Sequence, residues 1–148
     1  MKNILIVCKK TSFELFEQRI VQSFSSGVID KSYYDKLYNC HEEHYKNLGL
    51  LKDLLQKSNI KFDTVTRDNK WPDLSGFDLV VSFGGDGTIL AASHKLEDNS
   101  VLLLGVKSSL SSVGHLCSYE PSEFTKLVDD IKNNNLKIKE LSRVYAEV

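Results

Sequence analysis

An apolar run, Val80-Val81-Ser82-Phe83, stops in Gly84-Gly85-Asp86-Gly87-Thr88 and resumes as Ile89-Leu90-Ala91-Ala92. A strand, a glycine turn and a helix in that order bring backbone N–H groups and a helix N-terminus to one point. The first N–H groups of a helix lack internal partners and the dipole is positive there, so such a turn is an anion site. Three glycines let the backbone approach a phosphate closely and take positive φ where needed. Asp86 is the odd member, because a carboxylate repels phosphate. It fits if it meets a metal carried by the phosphates, or accepts a proton from an attacking hydroxyl. The stretch therefore points to phosphoryl transfer. The plainer alternative is a tight turn in which Asp86 caps the helix that follows. No Gly-Lys-Ser/Thr follows, so this is not a Walker A loop, and the Gly-x-Gly-x-x-Gly dinucleotide fingerprint is absent.

The 148-residue length gives one domain large enough for a sizeable core. A net charge of −1 with mixed signs leaves no electrostatic footprint for nucleic acid or an anionic membrane. No apolar run approaches a membrane span and no signal-peptide pattern is present. The chain starts straight into a strand at Lys2-Asn3-Ile4, leaving no room for a transit peptide. Cys8, Cys40 and Cys117 are scattered and odd in number, which argues for free thiols in a reducing compartment. The expected address is cytoplasmic.

Taken in order, Asn3 to Cys8 is a continuous apolar run, the mark of a parallel strand covered on both faces. Thr11 with Glu14 makes a capping box opening a helix to Ser25, with Phe13, Phe16, Ile20 and Phe24 on one face. Ser26 to Asn39 reads as a loop with at most a short helix. A second helix begins at His41, with Leu48, Leu51 and Leu55 on one face. His41 and His44 stand at i, i+3, which suits either a solvated helix face or two metal ligands; with no third ligand cluster nearby, no metal site is assigned. Ile60 to Thr66 is a strand near the sheet edge, and Trp71 in the following loop either packs on the core edge, the default for such a residue, or lines a site. Strand Leu79–Phe83, a helix to about Leu96, a polar turn at Glu97–Ser100 and strand Val101–Val106 follow. Pro121 opens a helix with Phe124, Leu127, Val128 and Ile131 on one face, ended by Asn133-Asn134-Asn135. Lys137–Lys139 and Val144–Val148 alternate like strands.

Alternating strands and helices with short links argue an α/β fold, an open parallel Rossmann-like sheet with helices on both faces. Ligands bind such sheets beyond the carboxyl ends of the strands. Both Gly84–Thr88 and Lys107–Cys117 leave strands at that edge, which argues for one shared site. Ser108, Ser109, Ser111 and Ser112 then read as a binding loop rich in hydroxyls, and His115 is the one histidine marked as a site candidate.

Gly84-Gly85-Asp86-Gly87-Thr88 is similar to the Gly-Gly-Asp-Gly-Thr signature of the NAD kinase family, shared in shorter form with diacylglycerol kinases and 6-phosphofructokinases. Leu104 to Cys117 resembles that family's second loop, and its Gly-His-Leu-Cys ending resembles the mitochondrial type and its bacterial relatives. Tyr33 to Leu37, His41 and His44 resemble the same branch. The resemblance implies transfer of the ATP γ-phosphoryl, with Mg2+, to the 2′-hydroxyl of the adenosine ribose of NAD. It assigns Asp86 as base or hydroxyl-orienting carboxylate, and Gly84, Gly85, Gly87 and Thr88 to the phosphate or ribose cradle. Lys107, Ser108, Gly114, His115 and Leu116 fall to nucleotide binding. Lys107 stands where the family usually has Asn, and Ser109-Leu110 where the mitochondrial-type branch has Asp-Pro. The family also implies that residues 1–135 are the α/β nucleotide-binding domain, that 136–148 start a second, β-rich domain absent here, and that the full-length protein is a homo-oligomer. A lipid- or sugar-kinase-like phosphotransferase and a non-catalytic nucleotide-binding module are the alternatives.

Overall fold

The computed structural model describes residues 3–96 and 101–142. Strands β1 (Asn3–Cys8), β2 (Lys61–Thr66), β3 (Leu79–Gly84) and β4 (Leu102–Lys107) form one parallel sheet in the order β2-β1-β3-β4. The apolar runs explain the order. Central β1 and β3 are almost wholly buried, whereas edge strand β2 leaves Lys61, Asp63 and Thr64 exposed. Four helices accompany the sheet, namely α1 (Ser12–Ser25), α2 (Lys31–Lys57), α3 (Asp86–Ser93) and α4 (Phe124–Lys132).

Side chains alternate across each strand, so the sheet separates two cores. On one face Ile4, Ile6, Leu79, Val81 and Phe83 meet Leu48, Leu51 and Leu55 of α2 and Phe124, Leu127 and Ile131 of α4. On the other, Leu5, Val7 and Val80 meet Phe77, Leu96 and Val101, with Trp71 at the margin and its indole N–H on the Arg67 carbonyl. Fully burying each such aliphatic or aromatic side chain contributes about 1.5–3 kcal/mol. The α/β sheet, the edge position of β2, the marginal Trp71 and the amphipathic α4 all agree with the sequence.

Several local expectations need correction. The segment assigned to a loop over Ser26–Asn39 is largely helix, because Asp30 caps α2 by accepting from the Tyr33 N–H, and α2 runs 27 residues without interruption. Only Gly27, at φ 75°, and its neighbours separate α1 from α2. In α1, Thr11 accepts from the Glu14 N–H, but Glu14 turns its carboxylate to the Tyr45 hydroxyl rather than closing a box. Phe13 and Ile20 are buried, whereas Phe16 sits at a kink (φ −127°) and is half exposed, and Phe24 stacks on Tyr34. Lys137–Lys139 forms no strand, and Ile138 is 68% exposed. The reciprocal capping box belongs instead to Glu120 and Glu123, around Pro121. The turn expected at Glu97–Ser100 and the strand at Val144–Val148 lie outside the described residues.

Candidate functional site

The carboxyl ends of β1, β2, β3 and β4 deliver Lys9, Arg67, the Gly85–Thr88 turn and Ser108 to one cleft of about 550 Å3. Thr11, Ser12 and Phe13 of the α1 start, and Leu37, Cys40 and His44 of α2, complete its walls with Ser109, Ser111, Ser112 and Val113. Asp86 is the single carboxylate among the described residues that line it.

The glycine turn is organised by the chain itself. Gly84 and Gly85 lack Cβ atoms for steric reasons: one on Gly84 would stand 2.3 Å from the Thr88 Oγ1, and one on Gly85 would stand 2.4 Å from the Val113 carbonyl oxygen. None of the three glycines has positive φ, so close approach and not left-handed backbone sets the requirement at Gly84 and Gly85. Gly87 faces open space, the one glycine of the turn with room for a ligand beside it. Gly85 caps α3, Asp86 is its first residue, and the Asp86 side chain caps nothing.

Asp86 reaches instead across to the loop after β4. Its N–H donates to the Val113 carbonyl at 2.9 Å, and its carboxylate accepts from the Leu116 N–H at 2.8 Å and the His115 N–H at 3.1 Å. The Leu116 amide, followed by that of His115 and the nearby charge of Lys107, holds the Asp86 carboxyl below the usual carboxylate range. Lys107 ends β4 with its aliphatic stem against Gly114, where an added Cβ would meet its Cγ and Cε at 2.9 Å. Burial, and then the Asp86 charge, push the Cys117 thiol up, which keeps it protonated and unsuited to nucleophilic work.

The second loop is fastened to α2. Buried Asn47 donates to the Ser108 carbonyl at 2.8 Å, Glu43 accepts from the Leu110 N–H at 3.0 Å, and the Cys40 thiol lies 3.3 Å from the Ser111 hydroxyl. Ser108 and Ser109 are buried, and Ser109 contacts the hydroxyls of Ser111 and Ser112 at 3.1 and 2.8 Å. These serines form a mutually bonded turn and not a flexible linker.

Of the residues marked from sequence, Gly85, Asp86, Gly87, Thr88 and Ser108 line the cleft. Gly84, Lys107, Gly114, His115 and Leu116 stand outside the lining; the amides of His115 and Leu116 join the site through Asp86. Sequence reasoning missed Lys9, Arg67, Cys40, Asn47 and His44. Lys9 and Arg67 carried a legible signal, since each directly follows a strand whose carboxyl end faces the cleft. The His41 and His44 pair is neither a metal site nor a solvated face. His41 contacts the Thr11 hydroxyl at 2.7 Å, whereas His44 is 1% exposed and packs on Phe83 and Tyr45. No group of three His, Cys, Asp or Glu residues able to hold a metal occurs among the described residues, and the described cysteines are all free. No described helix is long and apolar enough to cross a membrane.

Comparison with known proteins places this arrangement. The family model for the ATP-NAD kinase N-terminal domain matches residues 4–136. A probable NADH kinase of Oryza sativa subsp. japonica is 32% identical over 121 residues, covering 71% of this chain and 37% of that protein. The mitochondrial NAD kinase 2 of Homo sapiens is 30% identical over 128 residues, 77% of this chain and 28% of its own length. An NAD kinase of Lactobacillus acidophilus is 32% identical over 94 residues, 62% and 31% of the two chains. The fold matches the crystal structure of an NAD kinase from Archaeoglobus fulgidus in complex with ATP, with a TM-score of 0.50 at 19% identity, over 89% of this chain and 38% of that one. The chain thus spans about a third of the length of these relatives. With its Gly-Gly-Asp-Gly-Thr turn at the carboxyl edge of the matching sheet, the chain belongs to the NAD kinase family, in the region of its N-terminal domain.

Proposed function

We propose that this chain supplies the α/β half of an NAD kinase, which moves the γ-phosphoryl of ATP to the 2′-hydroxyl of the NAD adenosine ribose to give NADP. The observation that carries the reading is Asp86, an ionised carboxylate pinned by two backbone amides at the edge of a cleft that also holds hydroxyls, Lys9 and Arg67 among apolar walls. Two amides occupy about half of the roughly four lone-pair sites of a carboxylate, which leaves acceptor capacity for a ribose hydroxyl. A carboxyl held below its usual range is a weak base, and that suits this chemistry. Phosphoryl transfer runs through a loose transition state governed by positioning and charge neutralisation, so the hydroxyl needs orientation more than deprotonation.

Magnesium fits as a passenger on the ATP phosphates. Such ions are commonly held through one or two carboxylates plus the phosphates, and Asp86 is the carboxylate this cleft offers. When bound, the ion neutralises phosphate charge. Gly87 and Thr88 at the start of α3 serve as the near part of the cradle, and Ser108 with its serine neighbours as the facing wall. We assign residues 1–135 to the nucleotide-binding domain and 136–148 to the approach to a second, β-rich domain, a reading supported by the family match ending at residue 136.

Transfer from Mg–ATP to a panel of acceptors tests the reading. NADP from NAD is the expected product; a phosphorylated diacylglycerol or hexose in its place would assign the site to a lipid or sugar kinase.

A further inference from the structure

The His115 and Leu116 amides hold the Asp86 carboxylate, so whatever sets the height of those amides also aims Asp86. Two residues near the end of β4 do this. Gly105 and Lys107 are two positions apart on one strand and therefore share a face. At Gly105 the missing Cβ lets the returning loop press onto the strand. A Cβ there would stand 2.9 Å from the Leu116 carbonyl oxygen and 3.0 Å from the Cys117 Cα. At Lys107 the side chain itself makes the contact, since a Cβ on Gly114 would stand 2.9 Å from both its Cγ and its Cε. Gly114 is not at positive φ, so the lysine stem and the nearby Cys117 Sγ are what a larger residue would meet there. Backbone bonds then return the loop to the strand, from the Ser118 N–H to the Gly105 carbonyl at 2.8 Å and from the Lys107 N–H to the Tyr119 carbonyl at 2.9 Å. His115 and Leu116 are thus bracketed between two tight contacts with β4.

We propose that Lys107 is a positioning residue for Asp86, its aliphatic stem being the seat that keeps the His115 and Leu116 amides within hydrogen-bond reach of the carboxylate. A lysine suits this place because its stem can lie against other groups while its ammonium stays in water. Lys107 is half-buried and stands outside the cleft lining, so it acts through the loop and not on a ligand in the cleft. Asparagine, the residue usual in the family at this position, ends short of the Cε that meets Gly114, so the lysine seat is a feature of this chain. Its consequence for catalysis rests on the proposed role of Asp86, whereas the seat itself does not.

The experiment follows the His115 and Leu116 amides by NMR shift and hydrogen exchange in the wild-type chain, Asp86→Asn, Lys107→Ala and Lys107→Met. Asp86→Asn supplies the signature of a lost carboxylate bond. Lys107→Ala, which removes the stem, is expected to move both amides toward that signature and to speed their exchange about tenfold, as for loss of one hydrogen bond. Lys107→Met keeps the stem without the charge and should leave both amides as in the wild type. In a longer product of the same gene that forms NADP, Lys107→Ala should lower kcat about tenfold with the KM for NAD nearly unchanged, because an aimed carboxylate acts in the transition state. The proposal is overturned by amides unmoved in Lys107→Ala, by Lys107→Met matching Lys107→Ala, by amides moving equally across the whole sheet, or by a change confined to KM. Gly114→Ala gives an independent check. It should disturb the two amides in the wild type and disturb them less in Lys107→Ala, where no stem meets the new methyl group; strictly additive effects would sink the seat. Amides that respond as expected in a protein that phosphorylates no NAD would uphold the seat and reject the kinase assignment, so the two can fail separately.

Discussion

Asp86, the first residue of α3, and Leu116, 30 positions later in the loop after β4, are joined by a 2.8 Å hydrogen bond from amide to carboxylate. That bond, with its neighbour from His115, makes two loops from adjacent strands into one unit. It gives Asp86 a fixed direction and keeps it ionised, the two properties a hydroxyl-orienting carboxylate needs.

The glycines of the turn should separate by mutation. Gly85→Ala drives a methyl group into the Val113 carbonyl, which must retreat from the Asp86 N–H it now accepts. A loss of about 1–3 kcal/mol in chemical denaturation is expected, the usual cost of overpacking. Gly87→Ala meets nothing within 4 Å, and should leave stability equal or higher because alanine favours the helix. Equal losses at both positions would contradict the assigned packing.

The fastening of the serine loop has its own test. Asn47→Leu removes the donor to the Ser108 carbonyl and leaves that buried acceptor unmet. A destabilisation of about 1–3 kcal/mol is expected. Leu110 should exchange its amide proton faster once the loop loosens, although its bond to Glu43 remains. Unchanged exchange at Leu110 would mean that Asn47 is not an anchor of the loop.

Stability should also depend on pH through His44. Burial, and then the Lys9 charge, depress its imidazole from 6.5 to about 4. Between those values the unfolded chain binds a proton that the folded chain refuses, so folding stability falls as pH drops through that window and is fully present above it. The loss is on the order of 3 kcal/mol. Denaturation midpoints measured near pH 5 and pH 7.5 check it, and His44→Phe should flatten the difference.

The sheet was legible because its strands are short apolar runs spaced by helices, and Gly84 to Thr88 marked a candidate site by its glycine turn together with its resemblance to the family signature. The early start of α2 was obscured by Gly27 and the paired Tyr33 and Tyr34, of which Tyr34 packs on Phe13 and Phe24 of α1 and Tyr33 is exposed. Asp30 was the available signal, a helix cap placed three residues before Tyr33. His44 could not be read as buried, since its cover is Phe83, which lies 39 positions away and belongs to a strand. The latch between Asp86 and Leu116 was equally hidden, because backbone amides leave no mark in a sequence.

The most direct measurement is NADP formation from NAD and Mg–ATP by wild type and Asp86→Asn, in this chain and in any longer product of the same gene. Asparagine keeps the size of the side chain but cannot carry the charge proposed to orient the ribose hydroxyl. The account predicts NADP formation in the form that completes the site, falling roughly 10²–10⁴-fold in the variant while circular dichroism stays native. Near-normal turnover by Asp86→Asn would contradict it.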